Sequence, residues 1–458
     1  MSAPSKSPRP GGKPRRDRDD RGNPRIRPPS GAGAVPGVAD DKRVPLHEAV
    51  RALGLMLNAA SPADRALHAF FRAHAHFGQR DRAFIAETAF GALRHRRVLE
   101  ALLPRTTPHL LVLGYLARFE GWSAQRLAPY VEHGDLAVVA GLKAGRLEDL
   151  PLAVRAELPD WVVAKLEPTH DADAILALGR ALATQAPLDL RTNTLTTTRE
   201  AVLAQFAAEG IAAQATPYSP LGVRVPARTA LQKHPLFLTG KVEVQDEGSQ
   251  LLCLLVAPRR GELVIDFCAG AGGKTLALGA LMQSHGRVYA YDVSASRIEK
   301  LGPRLRRSGL SNVHPQVISS ENDIRIKRLA GKADRVLVDA PCSGLGTLRR
   351  NPDLKWRMQE SDIAELAAKQ TRLLAAAARL VKPGGRLVYA TCSILGEENE
   401  AIADAFAAAH PAFKPVPCNE ILAVQRVPLD TGPYFRLSPA VHGTDGFFAA
   451  VFERARDA

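Results

Sequence analysis

Residues 264–275 read VIDFCAGAGGKT, an apolar run that ends on an acid and opens into a glycine-rich loop. Val264, Ile265 and Phe267 are β-branched or aromatic, so the run reads as a buried strand. Gly270, Gly272 and Gly273 let backbone approach a ligand with no Cβ in the way. The stretch from Lys274 to Met282 is a good helix sequence. Strand, turn and helix together predict a nucleotide-shaped site at the carboxyl end of a first strand, with helix amides pointing at the ligand.

Spacing separates three candidate ligands. A GxxxxGK[ST] phosphate loop needs glycine at 268, where Cys268 stands, so GGKT is a near miss. A GxGxxG dinucleotide loop finds its first two glycines in Gly270 and Gly272, but its last falls on Thr275. S-adenosylmethionine has no pyrophosphate and needs only close backbone approach plus carboxylates for its hydroxyls and ammonium. Asp266, and Asp292 at the end of the next strand-like run VYAYD, stand where those carboxylates belong.

Working outward, the chain alternates strand and helix to its end. GRVYAYD is a strand, SASRIEKLGPRLRRSGL a helix and NVHPQVIS a third strand. RVLVDAPCSG makes a fourth, SDIAELAAKQTRLLAAAARL a long helix, and RLVYATCS a fifth after the turn at 383–385. This alternation predicts an α/β doubly wound, mainly parallel Rossmann-like sheet over 259–458. Upstream, LDLRTNTL and GVRVP read as strands and REAVLAQFAAEG as a helix, so a linker and small α/β subdomain are expected over 151–258. From Val44 to about 150 the apolar spacing is helical (Leu46, Ala49, Val50, Leu53, Leu57; then Phe84, Ile85, Thr88, Ala89, Leu93), which predicts an all-α bundle over 41–150. Residues 1–40 are mostly Pro, Arg, Gly and Ser, the composition of a disordered basic tail.

Charge and cysteine usage narrow the class. The net charge of +14 points to a polyanionic partner; residues 1–30 hold nine Lys or Arg against three Asp, a net +6, so +8 remains on the other 428 residues. The five cysteines (Cys253, Cys268, Cys342, Cys392, Cys418) show no metal-binding spacing, and an odd, sparse set argues for free thiols in a reducing compartment. With no apolar run of membrane-spanning length and no signal peptide, a cytoplasmic monomer is expected.

Cys342 follows one predicted strand, in VLVDAPCSG, and Cys392 follows the next, in LVYATCS. Neighbouring parallel strands lie about 5 Å apart, so both thiols are expected at one cleft beside the glycine loop. A thiolate, favoured by nearby positive charge such as Lys274, can add to carbon-6 of a pyrimidine and make carbon-5 nucleophilic. Asp339, three residues before Cys342, is placed to hydrogen-bond the ring nitrogen and exocyclic amine of cytosine.

These residues resemble the RNA 5-methylcytosine methyltransferases of the RsmB/Sun group. The motifs are RTN at 191, QDEGSQ at 245, DFCAGAGGK at 266, DAPCSG at 339, RRNPDLKW at 349, ATCS at 390 and GTDGFF at 443. RDRAFIAETAFGALRHRRVLEALL resembles the helical RNA-binding domain of the NusB family. The resemblance implies that Cys392 is the nucleophile and that Cys342 assists release of the methylated product. It implies cofactor contacts from Cys268, Ala269, Gly270, Ala271, Gly272, Gly273, Lys274, Asp292, Arg297 and Asp339, and from an acid after the third strand, Asp323 in preference to Glu321. Ala271 departs from the proline that the family often has there. Arg191 and Asn193, with Arg349, Arg350 and Lys355, are read as lining the path of the RNA, most naturally 16S ribosomal RNA. DNA cytosine methyltransferases use the PC cysteine as nucleophile, and the second thiol and basic bundle favour RNA instead. A transfer-RNA enzyme of the same group, or a noncatalytic RNA-binding assembly factor, are the alternative readings.

Overall fold

The computed structural model describes residues 43–58, 61–131, 135–226 and 229–456; the tail expected over residues 1–40 lies outside these. Among the described residues, helices follow one another from Arg43 to Leu182, and the first strand begins at Leu188. Local chemistry sets their starts. Thr107 accepts the Leu110 N–H at 3.2 Å ahead of Pro108 in the first helical position of Pro108–Arg118, and Asp171 accepts the Ala174 N–H at 2.8 Å to begin Ala172–Leu182. One apolar core joins Leu46, Leu53, Ile85, Leu93, Leu99 and Leu113. The helices between Leu152 and Leu182 belong to another core, packing Leu158, Val162 and Ile175 against Leu345, Leu348, Ile363 and Leu395. No described helix is long and apolar enough to cross a membrane.

A small antiparallel sheet follows, built from β1 (Leu188–Thr192), β2 (Gln214–Ala215), β3 (Gly222–Val225) and β4 (Val242–Val244) in the order β2-β3-β1-β4. The larger sheet contains β5 (Leu263–Asp266), β6 (Arg287–Asp292), β7 (Val313–Val317), β8 (Ala333–Asp339), β9 (Val381–Thr391), β10 (Phe413–Val416), β11 (Phe435–Leu437) and β12 (Phe447–Arg454). Its order is β10-β12-β9-β8-β5-β6-β7, with β11 paired on β12. Every pairing from β9 to β7 is parallel, and β12 runs antiparallel to β9, β10 and β11. The mainly parallel Rossmann-like sheet is thus present, with an antiparallel edge that the alternation pattern did not foretell. Buried runs such as Val336 to Val338 in β8 are apolar on successive residues because helices cover both faces of the parallel part. Pro383, Gly384 and Gly385, expected to form a turn before the fifth strand, lie inside β9 at a register shift opposite Ala333 and Arg335.

The chain leaves β5 toward β6 and β7, then returns to β8 on the other side of β5, so the sheet reverses direction between β5 and β8. Such a reversal opens a crevice at the carboxyl ends of the strands. Asp266 and Asp339 end the two strands that border it, and Thr391 ends the neighbour, β9. Beyond these ends the backbone is crowded: Gly346 N–H donates to Cys392 O at 2.9 Å, and Gly446 N–H donates to Gly346 O at 2.8 Å. A Cβ on Gly346 would lie 2.3 Å from the Gly446 carbonyl oxygen and 2.8 Å from that of Cys392. Both obstacles are backbone, so Gly346→Ala is expected to lower folding stability by about 2 kcal/mol. Chemical denaturation measures this, and a midpoint equal to that of the parent protein would mean that the crossing has slack.

Candidate active site

The loop after β5 is shaped by its glycines and anchored by charge. Gly270 and Gly272 hold φ of 55° and 83°, and Gly272 caps the helix Gly273–Leu281. A side chain on Gly270 would meet nothing within 4 Å, so the backbone there faces open space in which a ligand can lie against it. Asp292, buried at the end of β6, accepts the Gly270 N–H at 2.9 Å and the Ser294 N–H at 2.8 Å, with Arg297 3.8 Å away. Arg191 donates to Gly273 O at 2.7 Å and Arg304 donates to Ala271 O at 2.6 Å, which braces the loop from below.

Asp266 ties strand to helix through Thr275, whose hydroxyl donates to Oδ2 at 2.6 Å; its Oδ1 is buried without a partner. Burial, reinforced by the charge of Asp339, pushes the Asp266 carboxyl up to about 7. Asp323 is held the other way. It caps the short helix Ile324–Lys327, accepts N–H groups from Ser319 and Arg325 at 2.9 Å each, and its carboxyl lies well below the usual range because of those bonds. Glu321 pairs instead with Arg372 at 3.6 Å. The open backbone at Gly270, the buried Asp292 beside it and the unpartnered Asp266 oxygen fit an adenosyl ligand carrying hydroxyls and an ammonium group.

Lys274 extends from the helix start to Asp339, with Nζ 2.7 Å from Oδ2. Burial works against its charge, but Asp339 outweighs burial and holds the ammonium above its ordinary range; Cys392 adds to this attraction. Parallel pairing of β8 and β9 sets Asp339 opposite Ala390, and two to three residues further on the sulfurs of Cys342 and Cys392 lie 3.4 Å apart. The Cys392 N–H also donates to Cys342 Sγ at 3.4 Å. The hydrogen bond with Cys392 and then burial raise the Cys342 thiol well above the usual thiol range. Cys253 and Cys418 are buried and pushed up to about 12 by burial, and Cys268 is raised for the same reason. Only Cys342 and Cys392 come together.

The residues read as lining the RNA path have other partners. Arg191 and Asn193 are buried, Arg191 on Gln245 and Gly273 O, Asn193 on Gly240 O and Ser308 O at 2.9 Å each. Arg349 joins Asp445 at 3.3 Å and Gly443 O, and Arg350 joins Asp445 at 2.6 Å and Asp246 at 2.8 Å. Lys355 is buried, donates to Arg94 O at 2.9 Å and is lowered to about 8 by that burial. Trp356 packs against the first helical core under Arg96. RRNPDLKW is therefore a joint between the helices and the sheet, because internal acids and carbonyls take its cations.

Two residues of the site were not anticipated. Arg304 lies in the cation-rich helix Ala295–Ser308, and its pairing with Glu243, 3.0 Å away, holds it toward the loop. Glu398 stands in the run EENE after Cys392, and burial alone distinguishes it from its neighbours. Glu397 pairs with Lys165 and Glu400 with Arg436 at the surface, whereas Glu398 has no solvent exposure.

Residues 253–453 match the family model described as 16S rRNA methyltransferase RsmB/F, and residues 158–232 match the ferredoxin-like domain model of RsmF/B-like methyltransferases. A probable ribosomal RNA small subunit methyltransferase B of Synechocystis sp. is 32% identical over 414 residues, covering 82% of this chain and 92% of that protein. The ribosomal RNA small subunit methyltransferase B of Sodalis glossinidius is 33% identical over 399 residues, covering 81% and 89%. The crystal structure of PH0851 is similar over 90% of this chain and 98% of that one, with a TM-score of 0.73 and 26% identity.

The raised carboxyl of Asp266 has a thermodynamic signature. Its folded value of about 7 exceeds the ordinary value of 3.8, so the folded state binds the extra proton between these limits. Its contribution is fully present below about pH 4 and is lost as pH rises through 7, amounting to roughly 4 kcal/mol at the limit. Asp266→Asn, which keeps an acceptor for Thr275, should match the parent at pH 4 and exceed its stability at pH 8. Equal stabilities at both pH values, measured by urea unfolding, would contradict a costly buried charge.

Proposed function

The chain belongs to the ribosomal RNA small subunit methyltransferase B family, an S-adenosylmethionine-dependent RNA methyltransferase group, and we propose that its reaction is methylation of carbon-5 of a cytosine in 16S ribosomal RNA through a Cys392 adduct. The observation that carries this reading is the approach of the Cys342 and Cys392 sulfurs to 3.4 Å, next to the Lys274–Asp339 pair.

When bound, S-adenosylmethionine supplies an electrophilic methyl carbon on its sulfonium. Asp292 is suited to its ribose hydroxyls, Asp323 to its adenine, and the backbone of residues 268–274 to close approach, with Arg297 at the rim. Cys392 adds to carbon-6 of the cytosine, which leaves carbon-5 electron-rich. Lys274 keeps its positive charge, coupled electrostatically to the sulfur that attacks carbon-6. Asp339 has one oxygen on Lys274, leaving the other to accept from the exocyclic amine or the protonated ring nitrogen of the adduct.

Cys342 has its part in release. While Cys392 is free, its sulfur keeps the Cys342 proton in place by hydrogen bonding and by charge. Once Cys392 is bonded to carbon-6 that influence ends; Cys342 then gives its proton to water, and its thiolate takes the carbon-5 proton while the C5–H electron pair forms the C5=C6 double bond and Cys392 leaves as thiolate.

The described residues offer one cleft that supports an RNA path. A cleft of about 770 Å³ among the helices up to Leu182 and the loop at 349–350 is lined by Arg94, Arg126, Arg180, Arg349 and Arg350, with Glu87 and Glu120 also in its wall; its five arginines are suited to phosphates. We read the helical part, which resembles the NusB family, as the element that docks the RNA while the target base leaves its stack.

Purified protein with labelled S-adenosylmethionine and 16S ribosomal RNA tests the assignment. Cys392→Ala should reduce incorporation by a factor of about a thousand or more, in line with loss of a covalent nucleophile; persistent incorporation excludes Cys392 as that nucleophile. Label on transfer RNA with none on 16S RNA would move the substrate. Cys342→Ala should instead accumulate a protein–RNA adduct that runs slowly on a denaturing gel, and loss of activity with no adduct would remove Cys342 from the release step.

A further inference from the structure

Behind the two cysteines lies a carboxylate that the chemistry above does not use. Glu398 has no solvent exposure, and its carboxylate is bonded to the residues that directly follow both cysteines and to Gln370. Its Oε2 accepts the hydroxyls of Ser343 and Ser393 at 2.5 Å each; its Oε1 accepts the Ser343 N–H at 2.8 Å and the Gln370 amide at 3.0 Å. Ser343 directly follows Cys342 and Ser393 directly follows Cys392. The two serine oxygens are 3.1 Å apart, the Tyr389 hydroxyl donates to Glu398 O at 2.5 Å, and Gln370 also donates to Pro341 O at 3.0 Å.

We propose that Glu398 is a positioning residue, a single buried carboxylate that clamps the residues after both cysteines and so sets the distance between the two sulfurs. Two loops separated by 50 residues in sequence are held by one side chain, and the bonds to a charged acceptor are the strong kind. Among the described residues no cation pairs with the carboxylate; four neutral donors satisfy it. The charge is therefore felt next door. Glu398 adds to the Cys392 hydrogen bond and the burial that raise the Cys342 thiol, and burial, then Cys342 and Glu398, raise the phenol of Tyr389; Lys274 is coupled electrostatically to Cys392. A clamp of this kind gives both geometry and protonation state, as outer partners of a reactive centre do elsewhere.

The functional meaning rests on the roles given to the two thiols above, so the test reads the free enzyme as well as turnover. In the full chain, the pH dependence of Cys342 alkylation by iodoacetamide is followed by peptide mass spectrometry, alongside methylation of 16S RNA. Glu398→Gln keeps the shape and removes the charge, and should shift the alkylation profile to lower pH and reduce kcat at least tenfold with KM for RNA unchanged. Ser343→Ala leaves the carboxylate with one donor fewer and should shift the profile to higher pH, a reversal that mere loosening of the fold does not produce. It also serves if Glu398→Gln fails to fold. Profiles that coincide with the parent in the folded variants overturn the positioning role, whatever happens to turnover. Shifted profiles with unchanged turnover uphold the clamp and reject the catalytic assignment of the thiols instead.

Discussion

Everything at the site depends on parallel pairing of β8 with β9, in which Asp339 lies opposite Ala390. Register in a sheet is quantised, and a slip of one residue would turn each strand end to the other face. It is locked here because both strands are buried on both sides, through Val336, Val338, Leu387 and Tyr389 on one face and Leu337, Val388 and Ala390 on the other. Two sulfurs 3.4 Å apart are thus the outcome of apolar packing some distance beneath them. The backbone crossing at Gly346 and the Glu398 clamp then convert an approximate meeting of strand ends into a defined contact.

Charge is placed with the same economy. Arg191 is buried, and burial lowers it to about 10, yet its guanidinium is fixed on Gln245 and Gly273 O. An isolated buried cation is costly, so it persists where hydrogen bonds satisfy it. Arg304 reaches Ala271 O in the same way and is itself held by Glu243. A loop with two left-handed glycines has little side-chain packing to hold it, and these two donors to its carbonyls take over that task. They also explain why basic residues of the small sheet and of the helix Ala295–Ser308 face inward in a protein with abundant positive charge.

Much of this was legible in the order of residues. β-branched runs ending in Asp266, Asp292 and Asp339 mark buried strands, left-handed turns select the glycines after Asp266, and cysteines at equivalent strand ends must meet if the strands are neighbours. What could not be read depended on partners remote in sequence. The cations of RRNPDLKW have the same composition whether they face phosphate or Asp445, Asp246 and Arg94 O; only the fold decides. Glu398 is one acid among three in EENE, and its burial follows from a loop that turns back under Ser343. The antiparallel edge was hidden for a similar reason, since FFAAVFER in β12 is apolar enough to suit either direction of pairing.

The Gly446 to Gly346 hydrogen bond and the pairing of β12 with β9 join segments that leave the ribosome at different times. Domains are generally made in order from the N-terminus, at some 5–20 residues per second. The first cysteine loop therefore emerges well before the strand on which its final backbone crossing depends. During that interval the nascent polypeptide holds reactive thiols without their supporting frame, and maturation of the centre is tied to completion of translation through β12.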